Sequence, residues 1–226
     1  MDIYAPIILC FIPFIAIFLL LKVLVDGISI IRELLACAIV LIALIPIVIL
    51  QYFCGQWLTL VNRNLLLIML YALVLNGLIE EGIKCVVLFL FPVKKVNAKH
   101  MYFYALLAGI FLGSFESVIY VLRAIQNANS RGELLLHMIY VRNFTSILIH
   151  GFCAGLLGLF VYGMKNKKPM WGAVVAAVLL HGLYDFFAVM PAPLSYFAYV
   201  TIALLLLENR IYYMKAKALD QELGKV

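Results

Sequence analysis

Seven stretches of this chain are apolar over lengths that only a lipid surrounding tolerates. They run over Ile3–Val25, Leu34–Leu50, Leu65–Phe91, Met101–Leu122, Asn143–Met164, Met170–Met190 and Leu194–Leu207. Crossing the hydrocarbon core of a bilayer takes roughly 20 residues of helix. Backbone polar groups in that layer must be satisfied inside each segment, so helices are predicted. The fold class that follows is an all-α polytopic integral membrane protein with about seven transmembrane helices. A single transmembrane domain is expected over residues 1–207, with a short cytosolic tail over 208–226. Composition agrees: 67% of residues are hydrophobic and 12% charged, whereas soluble domains average about 25% charged. The longest loop expected is Arg123–Arg142.

Several alternatives are excluded early. The five cysteines are scattered through apolar runs with no CxxC pair, which argues against a disulfide framework or a thiolate metal site. Met1-Asp2 lacks a basic leader, so the first run is predicted to be a retained span rather than a cleaved signal. No internal repeat of the kind common in transporters is evident. Alternating the loops across the membrane puts Lys94–Lys99, Lys165–Lys168 and Arg210–Lys225 on one side, and only Arg63, Arg123, Arg131 and Arg142 on the other. The positive-inside rule then predicts a multi-pass cell-membrane protein with its N-terminus outside and its C-terminus cytosolic. The net charge of +6 reads as topology signal and phospholipid contact, with no nucleic-acid partner.

Ionisable groups within a bilayer cost about 2.5–3.5 kcal/mol each. The spans nevertheless carry Glu80, Glu81, Lys84, Glu116, His150, His181 and Asp185, all in spans three to six. Glu80 and Glu81 lie four and three residues before Lys84, so the three can meet on one side of span three, with Asn76 one turn earlier. His181 and Asp185 share a face of span six. Asn143, Ser146 and His150 form a polar stripe on span five, and Glu116, Tyr120 and Arg123 one on span four. At 1.5 Å per residue, Glu80, Glu116, His150, His181 and Asp185 all fall roughly 17–23 Å from the cytosolic ends of their helices. One layer of this kind suits a single reaction centre, whereas a proton path would spread its groups along the membrane normal. Each group alone has a plainer reading: an ion pair for Glu80, Glu81 and Lys84, a packing residue for a lone histidine. The set at one depth favours a site. A transporter or proton-coupled channel, and a non-catalytic membrane scaffold, are the competing classes.

These motifs carry a resemblance. Glu80-Glu81-Gly82-Ile83-Lys84 resembles the EExxK motif of the PrsW family of intramembrane proteases, which belongs to a clan with CAAX proteases and bacteriocin-processing enzymes. Glu116 followed by Tyr120 is similar to that family's second motif. Arg142 with His150 looks like its Arg and His on the next helix, and His181-Gly182-Leu183-Tyr184-Asp185 matches HxxxD. The resemblance covers roughly Asn76 to Phe187. It implies endoproteolysis of a membrane-anchored protein near the outer side of the bilayer, such as an anti-sigma factor in a site-1 cleavage.

The catalytic set expected is Glu80, Glu81, Glu116, His150, His181 and Asp185, supported by Lys84, Asn76, Tyr120, Arg142, Asn143 and Ser146. Glu80 or Glu81 would be the general base acting on water, a role that suits a carboxylate in a desolvated site. No cofactor is required by this scheme. The rival is a zinc mechanism, for which Glu116, His150, His181 and Asp185 would supply ligands with one position left open. No HExxH motif forces that choice. The substrate and the oligomeric state stay open.

Overall fold

A computed structural model describes residues 4–59, 64–126 and 132–225. Among them the chain is helical with no strand: α1 (Tyr4–Leu24), α2 (Ile30–Thr59), α3 (Leu65–Tyr71), a π-helical segment (Ala72–Glu80), α4 (Glu81–Leu88), α5 (Ala98–Gln126), α6 (Gly132–Phe144), α7 (Ser146–Lys165), α8 (Trp171–Ala188) and α9 (Phe197–Glu222). Seven helical stretches are long and apolar enough to cross a membrane, and α3, the π segment and α4 form one of them. The protein is a polytopic α-helical membrane protein, as its apolar runs require.

Burial separates the helices into centre and periphery. α7 sits at the middle, packed on α5, α8, α9 and α4, with almost every residue from Ser146 to Gly163 buried. α1 exposes Ile8, Ile12, Ile15, Leu19 and Leu20 along its length, as expected of a lipid-facing helix. The α5–α7 seam is closed by small residues, which let helix backbones touch. A methyl group built on Gly109 would overlap the His150 carbonyl, and one on Gly151 would meet Ile110 Cγ1 at 2.7 Å. Gly155 and Gly158 continue the seam against Tyr102 and Ala105.

Several boundaries differ from expectation. α2 continues past Leu50 to Thr59, so Gln51 stands inside a helix. The expected loop 123–142 is largely helical: α5 runs on to Gln126 and α6 begins at Gly132. The segment after Leu207 is no loose tail. α9 extends to Glu222 and packs back on the bundle. Buried Asp220 holds it there, accepting a 2.7 Å hydrogen bond from the Ala98 backbone N–H and another from the Tyr162 hydroxyl. The carboxylate thus caps the start of α5 from a distant part of the chain. Replacing Asp220 by Ala strands both donors, and we expect a loss of about 1–3 kcal/mol, read as a lowered midpoint of thermal unfolding in detergent.

Candidate active site

The third span changes its winding at the site. From Ala72 to Glu80 it is π-helical, and at Glu81 it returns to α-helix. Such wide turns inside helices recur at functional sites. Gly77 lets this segment lie close against α8, since a Cβ there would overlap the Val178 carbonyl. Adjacent side chains on a helix ordinarily diverge, yet here both Glu80 and Glu81 point inward and are buried. Glu80 faces α7 and Glu81 faces α8.

A connected core of charge results. Lys84 Nζ lies 3.1 Å from Glu80 Oε1 and pairs closely with Glu81 Oε1. It also stands 3.4 Å from His150 Nδ1. Glu80 Oε1 is 3.0 Å from the same His150 nitrogen. Glu81 Oε1 makes a short contact with His181 Nδ1, while its second oxygen, Oε2, is buried without a hydrogen-bond partner. The two imidazole rings meet edge to face, centroids 5.0 Å apart.

Each histidine is held from behind by a further carboxylate. His150 Nε2 is 2.5 Å from Glu116 Oε2, and His181 Nε2 is 3.5 Å from Asp185 Oδ2. Glu116 and Asp185 are the wetter members, with side chains 30% and 27% exposed, whereas Glu81 and Lys84 are fully buried. The six expected catalytic residues are therefore brought together in two tiers. Glu80, Glu81, His150 and His181 form the inner tier, and Glu116 and Asp185 orient the rings from outside.

A cavity of about 400 Å³ reaches this cluster between α2, the π segment and α5. Glu80, Glu116 and His150 form its inner wall, and Tyr52, Tyr71, Tyr120 and Arg123 also line it. Glu81 is absent from its lining. Asn76 is on the wall, where Gln51 Nε2 donates to its Oδ1 at 3.4 Å and to Glu80 Oε2 at 3.4 Å. Gln51 is a site residue that the sequence reading missed. A single amide in an otherwise apolar run was the available signal, and it fell one residue beyond the expected end of span two.

Other supporting residues lie elsewhere. The helix is interrupted at Thr145 (φ −113°, ψ −60°), between α6 and α7. That break takes Asn143 out of line with His150, and its amide donates instead to the Leu9 carbonyl of α1 at 3.0 Å. Ser146 is buried one turn before His150. The side chain of Arg142 lies outside the described residues. Thr145 and Tyr184 add a hydrogen bond between α8 and the start of α7, hydroxyl to hydroxyl at 2.6 Å.

The donor chemistry fits a divalent metal. Glu80, Glu81, His150 and His181 each offer one ligand atom, and these atoms all lie within 4.8 Å of one another. With a carboxylate behind each ring, both imidazoles present Nδ1 toward the common centre, the arrangement by which outer carboxylates fix metal-binding histidines. This donor group differs from the zinc set expected from sequence. It keeps His150 and His181 but takes its carboxylates from span three, while Glu116 and Asp185 stand behind the rings.

Buried carboxylates, paired imidazoles and a cavity of about 400 Å³ inside a helical bundle suit an intramembrane protease. Comparison with protein families agrees: the model of the PrsW family intramembrane metalloproteases matches residues 31–209. The chain belongs to that family and is a peptide hydrolase, which sets aside the transporter and scaffold readings. Neither the curated proteins nor the solved structures gave a match.

Proposed function

We propose that this protein cuts a membrane-anchored protein near the outer side of the bilayer, with Glu80 as the general base. The observation that carries the choice of Glu80 is its position: it belongs to the buried charged core and also lines the cavity, whereas Glu81 does not reach it. An extended peptide in the cavity would bring its scissile carbonyl against Glu80, Glu116 and His150. Glu80 takes a proton from a water as the oxygen attacks the carbonyl carbon. The departing nitrogen receives a proton from the His150–Glu116 pair, whose geometry faces the same space. Gln51 and Asn76 offer amide N–H groups beside Glu80, where a developing oxyanion would be stabilised.

A metal would be held by His150, His181 and Glu81, leaving Glu80 free toward the cavity, and when bound it supplies Lewis-acid polarisation of the carbonyl and of the water. Lys84 keeps the two neighbouring glutamates in one compact arrangement. A membrane-anchored anti-sigma factor is the substrate type we favour, and the lysine-rich loops support a cytosolic C-terminus. A layer roughly 17–23 Å from the expected cytosolic helix ends lies beyond the midplane of a ~30 Å core, which supports cleavage near the outer face.

The test compares newly formed protein N-termini, by mass spectrometry, in membranes carrying wild type or Glu80→Gln. Termini close to the outer ends of membrane spans, seen with wild type alone, are expected and would name the substrate. Identical termini from two folded preparations would refute the assignment of Glu80.

A further inference from the structure

The inner tier holds a cation already, and it is the protein's own. Lys84 Nζ touches Glu80 Oε1, Glu81 Oε1 and His150 Nδ1. These are three of the four positions that could ligate a metal. Each is an acceptor when the imidazoles carry their protons on the side facing Glu116 and Asp185. Acceptors crowded within 4.8 Å repel one another unless a positive charge stands among them. Glu81 meets Lys84 and His181 through Oε1 alone, and its Oε2 is left buried and unpartnered.

We propose that the Lys84 ammonium and a divalent cation are alternative occupants of one position, so that Lys84 sets how tightly the site takes up metal. The inference rests on the metal form of the proposed mechanism. Zinc lies about 2.0–2.2 Å from nitrogen and oxygen ligands. A metal at that distance from Glu81 and His150 would stand against an ammonium bonded to the same atoms. Like charges that close, among groups buried this deeply, repel strongly. Lys84 must therefore withdraw on its flexible four-carbon stem before metal is seated. Its contacts with both glutamates hold the ligand cluster together in the meantime. Metal-free protein is thereby spared a pair of uncompensated buried carboxylates, and metal of low affinity is turned away.

The experiment titrates Zn²⁺ into the full-length protein in detergent, after removal of metal by a chelator, and follows binding by calorimetry. Lys84→Gln keeps a hydrogen-bond donor between the glutamates and removes the charge. It should bind one Zn²⁺ with a Kd lower than wild type by on the order of a hundredfold. Adding His150→Ala or His181→Ala to this variant should abolish the gain, and retention of the gain would overturn the proposal. Lys84→Arg keeps the charge and both ion pairs, so it remains informative should the Gln variant fail to fold. It should bind Zn²⁺ no more tightly than wild type, and tighter binding would overturn the idea. Equal affinity in wild type and Lys84→Gln would refute competition by Lys84 while leaving the metal site standing. No uptake by either would refute the metal form of the mechanism as well.

Discussion

Glu80→Gln and Glu81→Gln are expected to inactivate the enzyme by different routes, and the difference can be measured. Gln keeps the shape of Glu but cannot take a proton from water. At position 80 the change removes the base and leaves the packing of the buried core. The rate should fall by about 10²–10⁴-fold, the usual contribution of a general base, with a smaller loss of stability and zinc affinity than at position 81, because Lys84 keeps its closer partner Glu81. Glu81 has no access to the cavity. It pairs with Lys84 and His181 instead. Gln at 81 leaves the Lys84 charge less compensated, and removing one partner of a buried pair typically costs about 3–5 kcal/mol. Its variant should lose stability and zinc affinity together with activity. Cleavage of a substrate identified by its new N-terminus, run beside thermal unfolding, separates the two. A Glu80 variant that is unstable but retains its rate would reverse the assignment.

The second large effect concerns the seam between α5 and α7. Gly109→Leu should prevent stable folding or cost at least roughly 3 kcal/mol, the upper range for overpacking. Even a Cβ at 109 meets the His150 carbonyl and Ala154 Cβ, the latter at 2.6 Å. Both contacts are with parts of α7 that cannot swing aside. His150 is therefore displaced through its backbone, and activity should fall even where some folded protein survives. Gly82→Ala is the control. It lies beside the glutamates, has nothing within 4 Å of an added Cβ, and in a helix should gain up to about 1 kcal/mol. Thermal unfolding in detergent reads all three proteins. A folded, active Gly109→Leu variant would mean that the two helices do not meet as described.

The spans and the site's composition were legible in the sequence because two costs dominate there. Apolar length announces a helix that crosses lipid, and an ionisable group among those residues is too expensive to be incidental. Spacing three and four apart was enough to pair Glu80 and Glu81 with Lys84, and His181 with Asp185. What stayed hidden depends on departures from regular winding. The π segment, which turns two adjacent glutamates inward, leaves no periodic mark in Ala72–Glu80. The break at Thr145 diverts Asn143 toward α1 although the i, i+3, i+7 pattern runs unbroken through it. Asp220 lay in a segment too polar to register as a span, and its partners are more than fifty residues distant in the chain. The tiers of the site were hidden too. Which carboxylate stands in front of a histidine ring and which behind it is a matter of helix rotation, to which spacing is blind.

The glycine seam also decides which parts of the bundle can breathe. α5 and α7 approach closely at Gly109, Gly151, Gly155 and Gly158, with backbone in the contact at Gly109 and Gly158 and side chains foremost at the other two. Across the cavity, α2 reaches the site through the Gln51 amide, shared among three acceptors at 3.4–3.5 Å. Those are long, easily exchanged contacts. The rest of α2 is anchored by its apolar face, where Ala36, Val40, Ala43 and Ile47 join the core. A substrate arriving from the lipid would thus meet two unlike walls, one joined to the site by exchangeable polar contacts and one, carrying Glu116 and His150, set by close glycine packing.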